Sequence, residues 1–205
     1  MTVPAIAVLC SGRGTNLQAI LDAARAGRLR ARVAVVISDR ADAFALTRAR
    51  RAGVPAEHVN PKDFSDRAAF ERAMIRRLDA AGARLICLAG FMRMLSPVFV
   101  RHFRWRILNI HPALLPAFPG AHAIRDALAW GAKATGVTVH LVDEAMDNGP
   151  ILLQEAVPIR SGEGEASLLA CVHRVEHRLY PKAIALMLSG RVRVVGRRAI
   201  VKREA

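Results

Sequence analysis

Short β-branched apolar runs alternate with amphipathic segments through the first half of the chain, and a glycine closes each amphipathic segment. This alternation is typical of βαβ units wound into a parallel sheet. The runs with strand character are Ala5–Cys10, Arg32–Ser38, Val54–Val59 and Leu85–Ala89. The segments with helical periodicity are Thr15–Ala26, Asp42–Ala52 and Ser65–Ala81. We therefore predict an α/β fold: a doubly wound, mostly parallel sheet flanked by helices, with a Rossmann-like N-terminal half.

The second half is less regular but continues the same two kinds of element. The predicted strands are Ile107–Ile110, Val137–Val142, Ile151–Ile159, Val192–Val195 and Ile200–Val201. The predicted helices are Pro97–Phe103, His122–Trp130 and Ala166–Leu188. Pro181 should interrupt the last helix, because proline removes a backbone donor. No linker-like segment or internal repeat divides the chain, so we expect one domain over residues 1–205.

Arginine gives the chain most of its formal net charge of +14, which raises the hypothesis of nucleic-acid binding. The arginines are spread along the sequence instead of being gathered on one recognition element. We therefore expect a solvated basic surface that attracts small anions, and no nucleic-acid partner. A basic nucleic-acid-binding module stays open as the alternative from another functional class, although the sequence has no helix-turn-helix, RRM or zinc-finger pattern.

Three features bear on location and on metals. No apolar run approaches the roughly 20 residues that a membrane span needs. The segment Met1–Cys10 lacks a basic lead and continues into a glycine-rich loop, so it predicts a first strand and not a signal peptide. The cysteines Cys10, Cys87 and Cys171 are far apart, without the CxxC spacing of zinc sites, and we expect small buried hydrophobes. These features predict a cytoplasmic protein without membrane contact.

A glycine-rich loop, Ser11–Asn16, lies where the first predicted strand meets the first predicted helix. Glycine allows the backbone to approach an anion, and the N–H groups of the helix start then hold it. The loop lacks both the full GxGxxG pattern and the lysine of a P-loop, so a phosphate monoester fits it better than a dinucleotide or a nucleoside triphosphate. A plain tight turn, in which Thr15 or Asn16 caps the helix, is the alternative.

Asn109 and His111 lie at the end of a predicted strand and are followed by Pro112. Residues two apart in a strand point to the same face, so the amide and the imidazole can converge on one substrate. The proline keeps His111 extended at the carboxyl edge of the sheet, where ligands of open α/β sheets bind. A lone histidine near a strand end is more often a structural residue, so His111 needs a partner.

The partner candidate lies in the acidic loop, Val142–Pro150, which connects two predicted strands and contains Asp147. A carboxylate beside an imidazole favours the charged ring and orients it, and such a pair equips a site for proton transfer. The alternative is a hairpin loop with local turn hydrogen bonds. A metal site made from Asn109, His111 and Asp147 ranks low, because only one good transition-metal ligand is present.

Four segments resemble the glycinamide ribonucleotide formyltransferase family, in the same order and at matching spacing. They are SGRGTNLQAI at 11–20, LAGFMRMLSP at 88–97, LNIHPALLPAFPG at 108–120 and VDEAMDNGPILLQ at 142–154. The resemblance covers nearly the whole chain. Asn148 departs from the pattern, since the family more often has glycine or alanine at this position.

The resemblance implies transfer of a formyl group from the co-substrate 10-formyltetrahydrofolate to the amine of glycinamide ribonucleotide, without a metal. It implies these catalytic residues: Asn109, His111 and Asp147. The ribonucleotide-binding residues that it implies are Gly14, Thr15, Asn16 and Glu176. The folate-binding residues that it implies are Arg67, Met92, Arg93, Met94, Leu95, Asn109, Asp143, Glu144, Ala145, Met146 and Asp147. Residues 1–100 would then be the phosphate-binding half, and residues 101–205 the catalytic and folate-binding half.

Two other activities share part of this resemblance. Methionyl-tRNA formyltransferase has similar Asn-x-His and acidic-loop motifs, but it carries a further C-terminal RNA-binding domain that we do not expect here. Formyltetrahydrofolate hydrolase carries an extra N-terminal regulatory domain that we likewise do not expect. The expected partners are therefore small-molecule substrates, and the expected assembly is a monomer or a homodimer.

Overall fold

The computed structural model describes residues 3–202, so the outermost residues of the expected domain, 1–2 and 203–205, lie outside it. The strands within the described residues are β1 (Ala5–Cys10), β2 (Arg32–Ser38), β3 (Ala56–His58), β4 (Leu85–Leu88), β5 (Ile107–His111), β6 (Ala134–Leu141), β7 (Ile151–Pro158), β8 (Val192–Val195) and β9 (Arg198–Val201). The helices are α1 (Thr15–Arg25), α2 (Phe44–Arg51), α3 (Arg67–Ala80), α4 (Pro97–His102), α5 (Ala123–Trp130) and α6 (Glu165–Leu188), with one 3₁₀ turn at Pro61–Asp63. Most boundaries fall within two or three residues of the predicted ones.

All the strands belong to one sheet in the order β3-β2-β1-β4-β5-β6-β7-β9-β8. The strands from β3 to β5 are parallel, whereas β6 pairs antiparallel with both β5 and β7. The chain winds outward from β1 to β3 and then returns to β4 and β5, which is the doubly wound order of a Rossmann-like half. The predicted fold class is confirmed.

Apolar side chains cover both faces of the sheet and explain why the buried strands are almost continuously hydrophobic. One face packs against α1, α2, α5 and α6, and its core includes Val8, Leu17, Leu108 and Tyr180. The other face packs against α3 and α4. Alternate residues of each strand enter the two layers, which is why Leu108 and Ile110 face α6 while Asn109 and His111 face the opposite side.

The expected interruption of the last helix at Pro181 is wrong, because α6 runs unbroken from Glu165 to Leu188. Proline in a helix interior costs about 3 kcal/mol. Around Pro181, however, Tyr180, Ala183 and Ile184 are fully buried, and each large apolar side chain that is buried contributes about 1.5–3 kcal/mol. Packing against the sheet therefore outweighs the lost backbone hydrogen bond.

Tyr180 also connects the helix to the strands that carry the polar residues. Its hydroxyl lies 2.8 Å from the carbonyl oxygens of both Leu88 in β4 and Leu108 in β5. The phenol thus fixes the spacing of β4 and β5 immediately beside Asn109. The carboxyl ends of β1, β4 and β5 consequently form one edge, at the point where the winding direction reverses and open α/β sheets bind ligands.

Candidate active site

The glycine-rich loop passes from β1 into α1 along this edge. Gly14 is the N-cap of α1 and has a left-handed φ of 70°. A Cβ on Gly14 would lie 2.7 Å from the Cβ of Ala45, so close packing against α2 requires glycine here. No side chain among residues 3–202 caps α1, so the alternative in which Thr15 or Asn16 caps the helix is wrong. The N–H groups at the start of α1 can therefore serve an anion.

Asn16 reaches across to the last long helix instead of capping its own. Its amide Nδ2 donates to Oε2 of Glu176 over 3.0 Å. The carboxyl of Glu176 is buried, and burial raises its pKa to about 7, although the hydrogen bond from Asn16 acts in the opposite direction. The structure thus brings together two residues that the family resemblance assigns to one substrate, although 160 positions separate them in sequence.

Glu176→Gln should remove a pH dependence of stability. In the wild type, the unfolded chain loses the Glu176 proton near pH 4.5, whereas the folded chain keeps it to about pH 7. The folded state therefore binds more protons in this window, and the free energy of unfolding should fall by up to about 3 kcal/mol as pH rises through it. Urea unfolding of both proteins at several pH values measures the difference; identical slopes would contradict a raised pKa for Glu176.

His111 is the buried polar residue at the end of β5. Its Nε2 lies 2.9 Å from the carbonyl oxygen of Phe118, which can only accept, so Nε2 carries a proton. Phe118 has a φ of 51°, a left-handed conformation that aims this carbonyl at the ring. The other ring nitrogen, Nδ1, lies 3.5 Å from Oδ2 of Asp147. Nδ1 is consequently the nitrogen through which His111 can act on a ligand.

Both carboxylate oxygens of Asp147 contact other residues of the site. Its Oδ2 accepts a 2.8 Å hydrogen bond from the N–H of Gly120, and its Oδ1 lies 3.5 Å from Nδ2 of Asn109. Burial acts to raise the pKa of Asp147, but His140, the Gly120 N–H and His111 together outweigh it and hold the pKa below its ordinary value. Asp147 is therefore ionised at neutral pH. Its φ of 48° is left-handed as well, so the backbone at this residue is strained.

His140 is a member of this cluster that the sequence reasoning missed. It lies directly opposite Asn109 in the β5–β6 ladder. Its Nδ1 donates to the carbonyl of Leu141 over 3.1 Å, and its Nε2 lies 3.1 Å from Nδ2 of Asn109 and accepts from it. Oδ1 of Asp147 lies 3.7 Å from the same Nε2, so a proton on this nitrogen would face the carboxylate instead of Asn109.

A cavity of about 280 Å³ opens beside the cluster. The residues that line it include Asn109, His111, His140 and Asp147. The implied folate-binding residues that also line it are Met92, Arg93, Met94, Leu95, Asp143, Ala145 and Met146. The exposed thioethers of several of these residues make an apolar rim, which suits a flat heteroaromatic ligand.

Two implied folate-binding residues do not line the cavity. Arg67 donates to the carbonyl oxygen of Met94 over 2.6 Å and pairs with Glu71. It therefore supports residues 92–95, the methionine-rich segment, through a backbone carbonyl. Glu144 points outward and lies 3.7 Å from Arg101. On this geometry neither side chain contacts a ligand in the cavity unless it moves.

The methionine-rich segment is also tied to the first loop. The N–H of Met92 donates to Oγ of Ser11 over 2.9 Å, and this hydroxyl donates to Asp39 over 2.6 Å. Ser11 immediately precedes the glycines of the loop, so its hydroxyl connects the cavity wall at Met92 with the loop that leads into α1. This contact helps to hold the cavity wall and the start of α1 at a fixed distance from each other.

Two features are absent from the described part of the chain. No group of three or more His, Cys, Asp or Glu side chains within residues 3–202 is arranged to hold a metal ion. Among the same residues, no helix is both long and apolar enough to cross a bilayer.

Comparison with known proteins places this geometry in a family. The protein-family model described as formyl transferase matches residues 5–184. The phosphoribosylglycinamide formyltransferase of Escherichia coli is 43% identical over 189 residues, covering 92% of this chain and 89% of that protein. The trifunctional purine biosynthetic protein adenosine-3 of Drosophila pseudoobscura is 46% identical over 98% of this chain, which spans only 15% of that protein. The crystal structure of glycinamide ribonucleotide transformylase 1 from Symbiobacterium toebii superposes with a TM-score of 0.95 at 53% identity, covering 97% of this chain and 94% of that one.

Proposed function

The chain belongs to the formyl transferase family, and on that premise we propose that it formylates the amine of glycinamide ribonucleotide in purine biosynthesis. The donor in this proposal is 10-formyltetrahydrofolate, a co-substrate, and the products are N-formylglycinamide ribonucleotide and tetrahydrofolate. We further propose that one domain does this, with residues 1–100 holding the phosphate and residues 101–205 carrying the reaction and the donor.

The observation that carries the proposal is that the polar cluster, the cavity and the start of α1 share one edge of the sheet. Asn109, His111 and Asp147 lie at the wall of the cavity of about 280 Å³. The uncapped start of α1, with its free N–H groups, lies on the same edge. An acceptor held by its phosphate at α1 can therefore present an amine to a formyl group held in the cavity.

In the proposed reaction the amine attacks the formyl carbon, and the carbonyl oxygen gains negative charge in a tetrahedral intermediate. The Nδ2 amide of Asn109 and a protonated Nδ1 of His111 are the donors for this oxygen. Both point toward Asp147 across 3.5 Å in the free protein, which is long for a hydrogen bond and leaves them available. A donor of this kind is worth roughly 2.7–4 kcal/mol in the transition state.

Collapse of the intermediate breaks the bond between the formyl carbon and the folate nitrogen, and the proton lost by the amine ends on that nitrogen. Asp147 is ionised and lies 3.5 Å from Nδ1 of His111, so in this proposal it stabilises positive charge that develops on the ring and positions a water that relays the proton. Glu176 faces the acceptor through its contact with Asn16. The methionine rim holds the folate ring and excludes bulk water.

The test is to supply three acceptors to the purified protein together with 10-formyltetrahydrofolate. We expect formyl transfer to glycinamide ribonucleotide, measured by mass spectrometry as a gain of one formyl group. Transfer to methionyl-tRNA instead would favour the tRNA-modifying activity. Release of formate with water as the acceptor would favour the hydrolase, and the absence of any product would contradict formyl transfer.

Gly12→Ala should raise the KM for glycinamide ribonucleotide about tenfold or more while changing the KM for the donor less than about twofold. A Cβ on Gly12 meets no atom within 4 Å, so it fits the free protein and fills only the space in front of the loop. Steady-state kinetics with each substrate varied in turn measure the two constants. An equal rise in both would argue against a phosphate at this loop. Gly14 is unsuitable for this test, because its substitution would collide with Ala45.

A further inference from the structure

The acidic loop has to hold Asp147 in a conformation that its backbone disfavours. Asp147 adopts a φ of 48°, in the left-handed region where residues with a side chain are uncommon. Such a conformation persists only when the surroundings fix it. The Gly120 N–H fixes the carboxylate, but the backbone that follows needs an anchor of its own.

Asn148, the next residue, supplies that anchor through its side-chain amide and its backbone carbonyl. Its Nδ2 donates to Oδ2 of Asp143 over 2.8 Å, which ties the end of the loop to its beginning. Its carbonyl oxygen accepts from Nη2 of Arg197 over 2.8 Å, and its Oδ1 accepts from Nη1 of the same guanidinium over 3.2 Å. Because the two bonds come from one planar guanidinium and reach two different oxygens of Asn148, they fix both the position and the orientation of this residue.

Arg197 reaches the loop because of where the C-terminal hairpin pairs. The strands β8 and β9 form an antiparallel hairpin whose turn contains Gly196, with a φ of 58°, and Arg197. The hairpin pairs with β7 through Arg198 and Ile151. Ile151 is the first residue after the acidic loop, so the hairpin turn lies beside the end of that loop.

We propose that Arg197 is a positioning residue: through Asn148 it holds the strained backbone that places Asp147 beside His111 and Asn109. This inference rests on the proposed function. It also gives a role to Asn148, where the family more often has glycine or alanine, residues that cannot accept a side-chain hydrogen bond. The acidic loop in this chain is thereby coupled to a hairpin whose turn carries no catalytic residue.

Arg197→Ala tests the proposal in the full-length protein. We expect kcat to fall about tenfold, equivalent to about 1.4 kcal/mol of barrier, and the KM for the folate donor to rise, because the same loop lines the cavity. The KM for glycinamide ribonucleotide should change less than about twofold, since α1 is held separately. Arg197→Lys should recover only part of the loss, because an ammonium cannot make the paired bonds.

The matched control is Arg193→Ala. Arg193 lies on the same hairpin and is exposed, and no side-chain hydrogen bond or ion pair joins it to another residue in the range 3–202. It carries the same charge change and the same loss of side chain. We expect its kinetic constants to equal those of the wild type.

A second measurement does not depend on turnover. Amide hydrogen exchange of residues 143–149 should accelerate in Arg197→Ala and stay unchanged in Arg193→Ala, because local opening of the loop becomes easier. Faster exchange together with a selective loss of kcat supports the proposal. A double variant, Arg197→Ala with Asn148→Ala, also supports it if its loss of kcat is smaller than the product of the two single losses. Unchanged exchange in Arg197→Ala overturns it. Failure of the wild type to formylate any acceptor overturns the proposed function instead, and exchange still decides whether Arg197 holds the loop.

Discussion

Asp147→Asn is expected to lower kcat about 10³-fold, in the middle of the range of about 10²–10⁴-fold that proton transfer by a positioned group contributes. The asparagine keeps the shape of the side chain, and its amide oxygen can still accept from the Gly120 N–H that now binds Oδ2. The charge is lost, however, so Nδ1 of His111, 3.5 Å away, no longer has an anion that favours its protonated form. The KM for the folate donor should change much less than kcat, because the cavity keeps its lining.

His111→Asn and the double variant sharpen this prediction. The single histidine variant should be about as slow as Asp147→Asn, and the double variant should be little slower than either, because residues that act as a unit are not additive. Steady-state and single-turnover rates with glycinamide ribonucleotide provide the comparison. Losses that multiply would show that the two side chains act independently and would contradict the mechanism.

Gly149→Ala is expected to reduce the free energy of unfolding by more than about 4 kcal/mol, an effect large enough to prevent folding of many domains. A Cβ at this position would lie 1.8 Å from the carbonyl oxygen of Leu141 and 2.9 Å from its carbonyl carbon. These are backbone atoms at the end of β6, so they cannot move without breaking the β6–β7 pairing that frames the acidic loop.

Gly164→Ala is the control for this substitution. Gly164 has an ordinary φ of −86°, and its added Cβ would meet nothing within 4 Å. We expect its free energy of unfolding, measured by urea denaturation, to differ from that of the wild type by less than about 1 kcal/mol. A folded, active Gly149→Ala protein would mean that the loop and β6 are not packed as described.

The fold was predictable from sequence because its signals are local. The alternation of β-branched runs and glycine-terminated helices in the first half needs no knowledge of distant contacts. The prediction failed at Pro181, where the local rule for proline gave way to burial of Tyr180 and Ile184 against the sheet. A helix covering a large apolar sheet face overrides a local breaker when enough neighbours are buried.

The candidate site was partly predictable for the same reason. The two-residue period of a strand brings Asn109 and His111 to one face, and the structure has them there. Asp147 was a candidate from the acidic loop, but its catalytic role was implied by the family resemblance, because the sequence pattern alone left a plain hairpin turn as an alternative. His140 and Arg197 were missed, since each depends on a strand register: Asn109 opposite His140, and Ile151 opposite Arg198. The register between strands far apart in sequence is set by the packing of the whole sheet, so a local sequence pattern does not predict it.

The most direct measurement follows the formyl group itself. Wild-type protein and Asp147→Asn would each be given 10-formyltetrahydrofolate with a ¹³C-labelled formyl group and glycinamide ribonucleotide, and products would be counted by mass spectrometry. We expect the wild type to move the label to the ribonucleotide amine in a one-to-one ratio with tetrahydrofolate formed, and Asp147→Asn to do so about 10³-fold more slowly. Label recovered as free formate, or an Asp147→Asn protein as fast as the wild type, would contradict the proposed transfer mechanism.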